Sequence, residues 1–261
     1  MTEVSCPLVM SQAIRRPAPR RRRNSDPSLD GATASRARLT LDGMFETLKN
    51  ALGPQGWWPV SRDAATPAQA RLEIVLGAVL TQNTAWENVR RALAALYRAR
   101  LVDLAALDAI NEPHLAEIIR SSGTFRVKAR RIKAFVRSVQ REFAGSLEAL
   151  LGLPLPQARA ALLRIHGVGP ETADAILLYA GRHATFVIDA YTRRVLVRHQ
   201  LATRRDGYDD LQARFHEKVP ANLDVYHEYH ALIVELSKRH CRAKARCEGC
   251  PLEGFPHDPS A

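Results

Sequence analysis

The chain has 261 residues, enough for one or two domains with a sizeable core, and its 46% hydrophobic residues are typical of a globular protein. Its formal charge of +11 indicates a polyanionic partner, of which nucleic acid is the most frequent. The longest apolar run, IVLGAVL at 74–80, is far shorter than the ~20 residues of a membrane span, so a membrane-embedded protein is excluded.

The first part of the chain is strongly basic. Residues 1–38 hold eight arginines against three acidic residues, a net charge of +5 that leaves +6 for the rest. The segment RRPAPRRRRNSDPS has no hydrophobic period, so we predict a disordered basic arm, which is either a solvated tail or an electrostatic tether to DNA. Because no signal-peptide pattern occurs here, we expect a cytoplasmic, nucleoid-associated protein.

Helical periodicity dominates the remainder. It predicts helices over 39–53, 103–110, 112–121, 126–143, 146–151, 156–165, 170–181, 189–200, 208–218 and 224–240. A longer pattern over 68–98 is interrupted by the polar segment TQNTAW, where we expect one helix to end and the next to begin with Thr84 as its cap. TFVID at 185–189 fits a short strand but does not establish a sheet, so the sequence predicts an all-α fold.

A glycine turn stands out in the segment IHGVGPETADA at 165–175. Gly167 and Gly169 flank one valine and suit positive φ or a close approach of the backbone, while Pro170 suits the first turn of a helix. The pattern predicts two helices joined by a tight turn, with unpartnered N–H groups at the start of the second helix. Such a start binds anions, although a simple loop with a helix cap is the alternative.

The motif LLRIHGVGPETADAILLYAGRHATFVIDAYTRRVL resembles the helix-hairpin-helix signature of the endonuclease III (HhH-GPD) superfamily of DNA glycosylases. GAVLTQNTAWENV and GTFRVKARRIKAF resemble two other helices of that fold, and GPQGWWP and YHALIVELSKRHC are most similar to its 3-methyladenine DNA glycosylase III-like branch. The resemblance implies two helical lobes with an active-site cleft between them. The first is a six-helix barrel lobe over 64–185 that holds the hairpin; the second combines 39–63 with 186–261 and ends in a cysteine loop.

The resemblance also implies roles for single residues. Asp189, about twenty residues past the hairpin glycines, corresponds to the family's essential aspartate, which stabilises positive charge on the sugar and orients water. Its alternative role is to cap the helix that begins at Ala190, and both can hold together. Gln82 corresponds to the glutamine that enters the gap left by an extruded base. The predicted residues for base flipping and the base pocket are Gln82, Asn83, Trp57, Trp58, Trp86 and Lys238.

Some of these assignments leave alternatives open. The adjacent tryptophans Trp57 and Trp58 are either part of a pocket for a flipped base or a hydrophobic plug between the lobes. The resemblance implies that the hairpin grips a DNA phosphate, with an alkali cation bound there as in relatives. The predicted backbone-binding residues are Gly167, Val168, Gly169, Glu171 and Thr172.

Glu171 marks a departure from the family pattern. Bifunctional members carry a lysine two residues after the second hairpin glycine, and its amine forms a Schiff base with the sugar. A carboxylate cannot do so, and we therefore predict a monofunctional glycosylase with weak or absent AP-lyase activity. Its expected partner is double-stranded DNA with damaged bases such as 3-methyladenine, bound by a monomer. The alternatives are an endonuclease III-like glycosylase and AP lyase for oxidised pyrimidines, and a non-catalytic helix-hairpin-helix DNA-binding protein.

The cysteines form an incomplete motif. Cys241, Cys247 and Cys250 resemble the four-cysteine iron–sulfur loop of endonuclease III relatives, but the first gap is one residue shorter and Pro256 stands at the fourth position. The resemblance implies a [4Fe-4S] cluster completed by His257 or Asp258, since histidine replaces cysteine in some centres. The alternative is a loop without metal.

Overall fold

The computed structural model describes residues 38–261, which belong to one compact unit. Except for Arg38, the predicted basic arm lies outside the described residues, and its role as a DNA tether stays a prediction. The helices of the described chain are α1 (Leu41–Leu52), α2 (Pro67–Leu80), α3 (Trp86–Arg98), α4 (Leu104–Ala109), α5 (Glu112–Ile118), α6 (Phe125–Phe143), α7 (Leu147–Leu151), α8 (Leu155–Leu163), α9 (Pro170–Ala175), α10 (Ala190–Arg198), α11 (Tyr208–Lys218) and α12 (Leu223–Arg239). A 3₁₀ turn (Arg120–Ser122) follows α5, and a π-helical segment (Ile176–Ala180) follows α9.

The prediction of an all-α fold is confirmed. No strand occurs within residues 38–261, and TFVID at 185–189 is an irregular connection that leads into α10. The prediction that Thr84 caps α3 is wrong. Ala85 is the extended residue before that helix and makes no side-chain cap, while Thr84 Oγ1 accepts a hydrogen bond from Asn88 Nδ2 at 3.1 Å.

Most helix starts follow from the local sequence. An extended polar residue stands before the first turn, and its side chain accepts a backbone N–H that has no partner inside the helix. This holds for Thr40, Thr66, Asp103, Asn111, Ser146, Asp189 and Asn222.

Two groups of helices meet at the centre of the described chain. Helices α1 and α10 pack on α12, and α11 packs on α1, whereas α2–α9 pack mainly against one another. The π-helical segment joins the groups because it contacts both α2 and α12. The end of α2 and the start of α9 thus lie opposite α10 and α12, with a cavity between them. The lobe boundaries at 64–185 and at 39–63 with 186–261 stay predictions. Within the described residues, no helix is long and apolar enough to span a membrane.

A buried lysine fixes the loop that follows α2. Lys128 on α6 is fully buried, and its Nζ donates to the carbonyl of Leu80 at 2.8 Å and to that of Ser122. Burial, together with the nearby charge of Arg131, lowers the pKa of Lys128 to about 8. The lysine therefore joins the end of α2 to the turn before α6, and it holds the segment that carries Gln82.

We expect Lys128→Met to lower the free energy of unfolding by about 2–3 kcal/mol. Methionine fills a similar volume, but it leaves two buried carbonyl oxygens without a donor. Urea unfolding of the purified variant beside the wild type measures the change. Lys133→Met is the matched control, because it also removes a buried amine but does so far from this loop. Lys133 Nζ donates to the carbonyls of Leu107, Asp108 and Ile110. This control should lower the free energy of unfolding without disturbing the loop that follows α2.

Candidate active site at the hairpin

A cavity of about 610 Å³ lies between the end of α2, the segment 57–58, and the helices α9, α10 and α12. This volume falls within the range of small-ligand sites. The structure brings most of the predicted site residues to its walls: Trp57, Trp58, Gln82, Asn83, Trp86, Glu171, Thr172, Asp189 and Lys238. Gly167, Val168 and Gly169 line an adjoining surface cleft that also contains Gln82, Asn83, Glu171 and Thr172.

Three tryptophans form one wall of the cavity. The ring centroids of Trp57, Trp58 and Trp86 are 5.4–5.6 Å from each other, and Trp58 also lies 5.2 Å from Tyr179. Gly77 makes room for them, because a Cβ at that position would come within 2.8 Å of the Trp58 ring. All three indoles line the cavity and also pack against the core. Their role in holding a flipped base stays a prediction.

Two carboxylates hold the tryptophan segment in place. Gln55 N donates to Glu228 Oε1 at 2.7 Å, and Ser61 N donates to Glu73 Oε1 at 2.8 Å. The buried Glu73 also accepts the hydroxyl of Tyr97 at 2.6 Å. These bonds fix both ends of the segment 55–61, which carries Trp57 and Trp58. Lys238 Nζ lies 5.0 Å from the Trp57 ring centroid at the edge of this wall.

Asp189 combines a cap with a place in the cavity. Its Oδ1 accepts Thr192 N at 2.7 Å at the start of α10, while its Oδ2 lies 3.6 Å from His230 Nε2. Burial raises the pKa of this carboxyl, but the contacts with His230 and Thr192 outweigh burial and bring the pKa below its ordinary value. The carboxylate is therefore ionised at neutral pH and faces the tryptophans.

The pKa of Glu171 is shifted in the opposite direction to that of Asp189. It lies in the first turn of α9 with an exposed side chain at the mouth of the cavity. Enclosure by the cavity walls and the negative charge of Asp189 raise the pKa of Glu171 above its ordinary value, against a smaller lowering by His230. Two carboxylates of different acidity thus line one cavity, and the more acidic one is the deeper.

The two hairpin glycines serve different purposes. Gly167 has φ 87°, and a Cβ there would overlap Arg131 Cγ, so both the backbone conformation and the packing require glycine. Gly169 has φ −94°, and a Cβ there would meet nothing within 4 Å. No side chain caps α9, whose first N–H groups face this open space. The surface at Gly169 is therefore open to an outside anion.

Gln82 is bound to the hairpin. Its Nε2 donates to Gly167 O at 3.1 Å and to Thr172 Oγ1 at 2.9 Å, and its Oε1 accepts a bond from Arg131. Asn83 beside it has φ 53°, which places the loop at a sharp bend. The predicted gap-filling residue is thus held against the predicted phosphate-binding turn.

Three residues at the site, His230, Tyr179 and Arg131, were not predicted from the sequence. His230 lies beside Asp189, Tyr179 Oη lies 2.6 Å from His230 Nδ1, and Arg131 covers the hairpin. The spacing of His227 and His230 on one helix was the available signal, but a pair of histidines at this spacing does not specify which residue they face.

The cysteine loop forms a second, smaller cavity. Cys241, Cys247 and Cys250 line it together with His257 and with His199, a residue not predicted from the sequence. Burial and the nearby His257 lower the pKa of His199 to about 4. Cys241 Sγ accepts a hydrogen bond from Arg198 at 3.3 Å. Among residues 38–261, however, no three cysteine, histidine or acidic side chains are placed to hold a metal ion, so the residues do not fit a metal centre as placed.

Comparison with known proteins agrees with this geometry. The family model described as HhH-GPD superfamily base excision DNA repair protein matches residues 76–221. The putative DNA repair glycosylase MJ1434 of Methanocaldococcus jannaschii is 39% identical over 213 residues, which are 81% of this chain and 93% of the relative. The chain belongs to the HhH-GPD superfamily of base excision DNA repair proteins, within which it is a DNA repair glycosylase.

Solved structures show the same fold. The 3-methyladenine DNA glycosylase MagIII of H. pylori, bound to 1,N6-ethenoadenine, is 30% identical with a TM-score of 0.64 over 77% of this chain and 98% of that chain. A non-covalent complex of endonuclease III with DNA is 20% identical with a TM-score of 0.67 over 85% of this chain and 97% of that chain, which is a likeness of fold alone.

Proposed function

We propose that the protein binds duplex DNA, extrudes an alkylated purine such as 3-methyladenine into the cavity and hydrolyses its N-glycosidic bond with water. The observation that carries this proposal is an ionised, half-buried Asp189 that lines the same cavity as three indoles, next to the start of α9. A base inside a duplex must leave the stack before its glycosidic bond becomes accessible. The cavity offers the extruded base a place next to the carboxylate.

The aromatic wall favours a cationic base. Alkylation of a purine at N3 puts positive charge on the ring, and a cation is attracted to the face of an indole. The same charge makes the base a good leaving group, since it departs as a neutral molecule, and strong acid catalysis is not needed. The MagIII structure, 30% identical, holds a modified adenine, which supports a purine substrate here.

Asp189 would stabilise the positive charge that develops on the sugar as the bond breaks. A fixed negative charge in a water-poor cavity lowers the energy of such a transition state more than the same charge in water does. Its free oxygen, Oδ2, is the one that faces away from the helix cap. The carboxylate can also orient the attacking water.

The substrate test compares two lesions in the same duplex. We expect release of free base from DNA that contains 3-methyladenine and much slower release from DNA that contains an oxidised pyrimidine. Asp189→Asn serves as the inactive control. Preferential release of the oxidised pyrimidine would instead favour an endonuclease III-like activity, and DNA binding without release of either base would favour a non-catalytic DNA-binding protein.

We expect borohydride to trap no covalent adduct between the protein and abasic DNA. The position of the lyase amine is occupied by Glu171, and Lys238 is the one lysine that lines the cavity among the described residues. Gel analysis with a known bifunctional glycosylase as the positive control measures the trapped fraction. A strong trapped band that disappears in Lys238→Met would assign lyase chemistry to Lys238 and contradict the monofunctional proposal.

We also propose that the open surface at Gly169 holds a DNA phosphate, with an alkali cation between the turn and the phosphate. The [4Fe-4S] cluster at the cysteine loop stays a prediction from the resemblance, with His257 as the candidate fourth ligand in the lining of that cavity. Visible absorbance of protein purified without oxygen tests it. No step of the proposed reaction passes through a cluster.

A further inference from the structure

His230 is a buried residue with one nitrogen that has no hydrogen-bond partner. It lies on α12 and is 7% exposed. Its Nδ1 is 2.6 Å from the Tyr179 hydroxyl, and its Nε2, which is shielded from solvent, makes no hydrogen bond within the described part of the chain. A buried polar atom without a partner costs stability, so its placement calls for an explanation. The nearest acceptor is Asp189 Oδ2 at 3.6 Å.

Tyr179 determines which nitrogen of His230 carries the proton. Burial, with the negative charges of Asp189 and Glu228, raises the pKa of Tyr179 well above its ordinary value, so the phenol keeps its proton. A phenol that donates to Nδ1 leaves the proton of a neutral imidazole on Nε2, facing the carboxylate. The other tautomer would place the Nε2 lone pair against the negative oxygen, which is repulsive.

We propose that His230 is a positioning residue for Asp189: its Nε2–H holds the carboxylate ionised and facing the cavity, and the Tyr179 hydroxyl fixes the required tautomer. Thr192 N holds the other carboxylate oxygen. The three side chains come from three different elements, the π-helical segment, the loop before α10, and α12. The arrangement itself is independent of the substrate, while its effect on base release rests on the proposed function.

Other titratable groups line the cavity around Asp189 and His230. Glu171 approaches from α9, Tyr191 from α10, and Lys238 from the end of α12, while the segment 57–58 and the end of α2 contribute only uncharged side chains to the cavity. Within residues 38–261, none of these groups forms a hydrogen bond with Asp189 or His230. Among the described residues, His230 is thus the one basic side chain with a nitrogen within 4.0 Å of the Asp189 carboxylate.

The first test needs no substrate. We would follow the Asp189 carboxyl carbon by NMR during an acid titration of DNA-free protein, with the signal assigned by its loss in Asp189→Asn. His230→Leu should raise the apparent pKa of Asp189 by about one pH unit or more, because burial is then opposed by fewer donors. His230→Gln should restore most of the wild-type value, since its amide can place an N–H near the position of Nε2.

The outcomes are distinguishable. Equal Asp189 titration in the wild type and in folded His230→Leu would overturn the proposal, as would a failure of His230→Gln to differ from His230→Leu. Thermal melts identify a variant that does not fold, in which case Tyr179→Phe, which removes one hydroxyl only, takes its place. In that variant the share of the Nδ1–H tautomer should rise above its wild-type share, although Asp189 still disfavours it, and ¹⁵N chemical shifts of His230 report the ratio. An unchanged ratio would contradict the role of Tyr179.

The second test uses the pH profile of single-turnover base release. The ionised form of Asp189 is the active one, so a raised pKa in His230→Leu moves the acid limb of the profile to higher pH by the same amount as in the NMR titration. A histidine that served packing alone would lower the rate equally at every pH. If the wild type releases no base at all, the proposed function fails, while the NMR titration still decides the role of His230.

Discussion

Asp189→Asn should slow single-turnover release of the damaged base by on the order of a hundredfold or more. The substitution removes the negative charge next to the developing sugar cation but keeps the shape of the side chain. Asparagine caps a helix about as well as aspartate, and its oxygen can still accept Thr192 N. We therefore expect little change in the melting temperature and equal or higher DNA affinity, since a carboxylate repels the DNA phosphates.

Asp103→Asn is the matched control for this variant. Asp103 caps α4 through the same contact, with Oδ1 accepting Ala106 N at 2.8 Å, but it does not line the cavity. Any effect of losing a charged helix cap should therefore appear in both variants. The loss of base release should appear in Asp189→Asn alone. An Asp189→Asn enzyme that folds, binds DNA and releases base at the wild-type rate would remove Asp189 from the mechanism.

Gly169→Val should weaken binding to every duplex about tenfold or more, whether or not the DNA carries a lesion. A Cβ at Gly169 meets nothing within 4 Å, and no side chain caps α9, so we expect the valine side chain to project into open space at the start of this helix and to hinder the approach of a phosphate. Charge-assisted bonds from such groups to a phosphate are worth about 1.5–3 kcal/mol, and phosphate contacts carry no sequence information. A binding titration on damaged and undamaged duplexes measures the loss.

Two further glycine variants make the result specific. Gly254→Val places the same side chain at another position with open space around the Cβ, outside the hairpin, and should leave DNA affinity unchanged. Gly167→Val meets both a φ of 87° and the side chain of Arg131, and should lower the free energy of unfolding by about 1–3 kcal/mol. A loss of affinity in Gly169→Val that is confined to one lesion would contradict phosphate binding.

The helices could be predicted from the sequence because their signals are local. Apolar residues at helical spacing and polar caps such as Thr40 and Asn222 place their bounds within a few residues. The wrong prediction concerns Thr84. A threonine before a helix and a threonine that bonds a side chain one turn later look alike in sequence, and the backbone at Ala85 decides between them.

The site was only partly predictable, for a related reason. The family resemblance predicted roles for Asp189 and for the hairpin, since both belong to one continuous motif. The contacts of Gln82 with Gly167 and of Tyr179 with His230 join residues 85 and 51 positions apart. Such pairs depend on how helices pack across the cavity. The periodicity of one helix does not tell which residue of another helix its side chains will contact. Arg131 was missed likewise, because its role depends on the bare backbone of Gly167.

The most direct test of the proposed reaction is to identify its products. Duplex DNA that contains 3-methyladenine is incubated with an excess of the wild-type protein, and the mixture is analysed by mass spectrometry without heat or alkali. Hydrolysis with water predicts free 3-methyladenine and an intact strand with one abasic sugar, in equal amounts. Intact starting DNA would contradict the proposed activity, and a cleaved strand that carries an unsaturated sugar end would contradict the monofunctional mechanism.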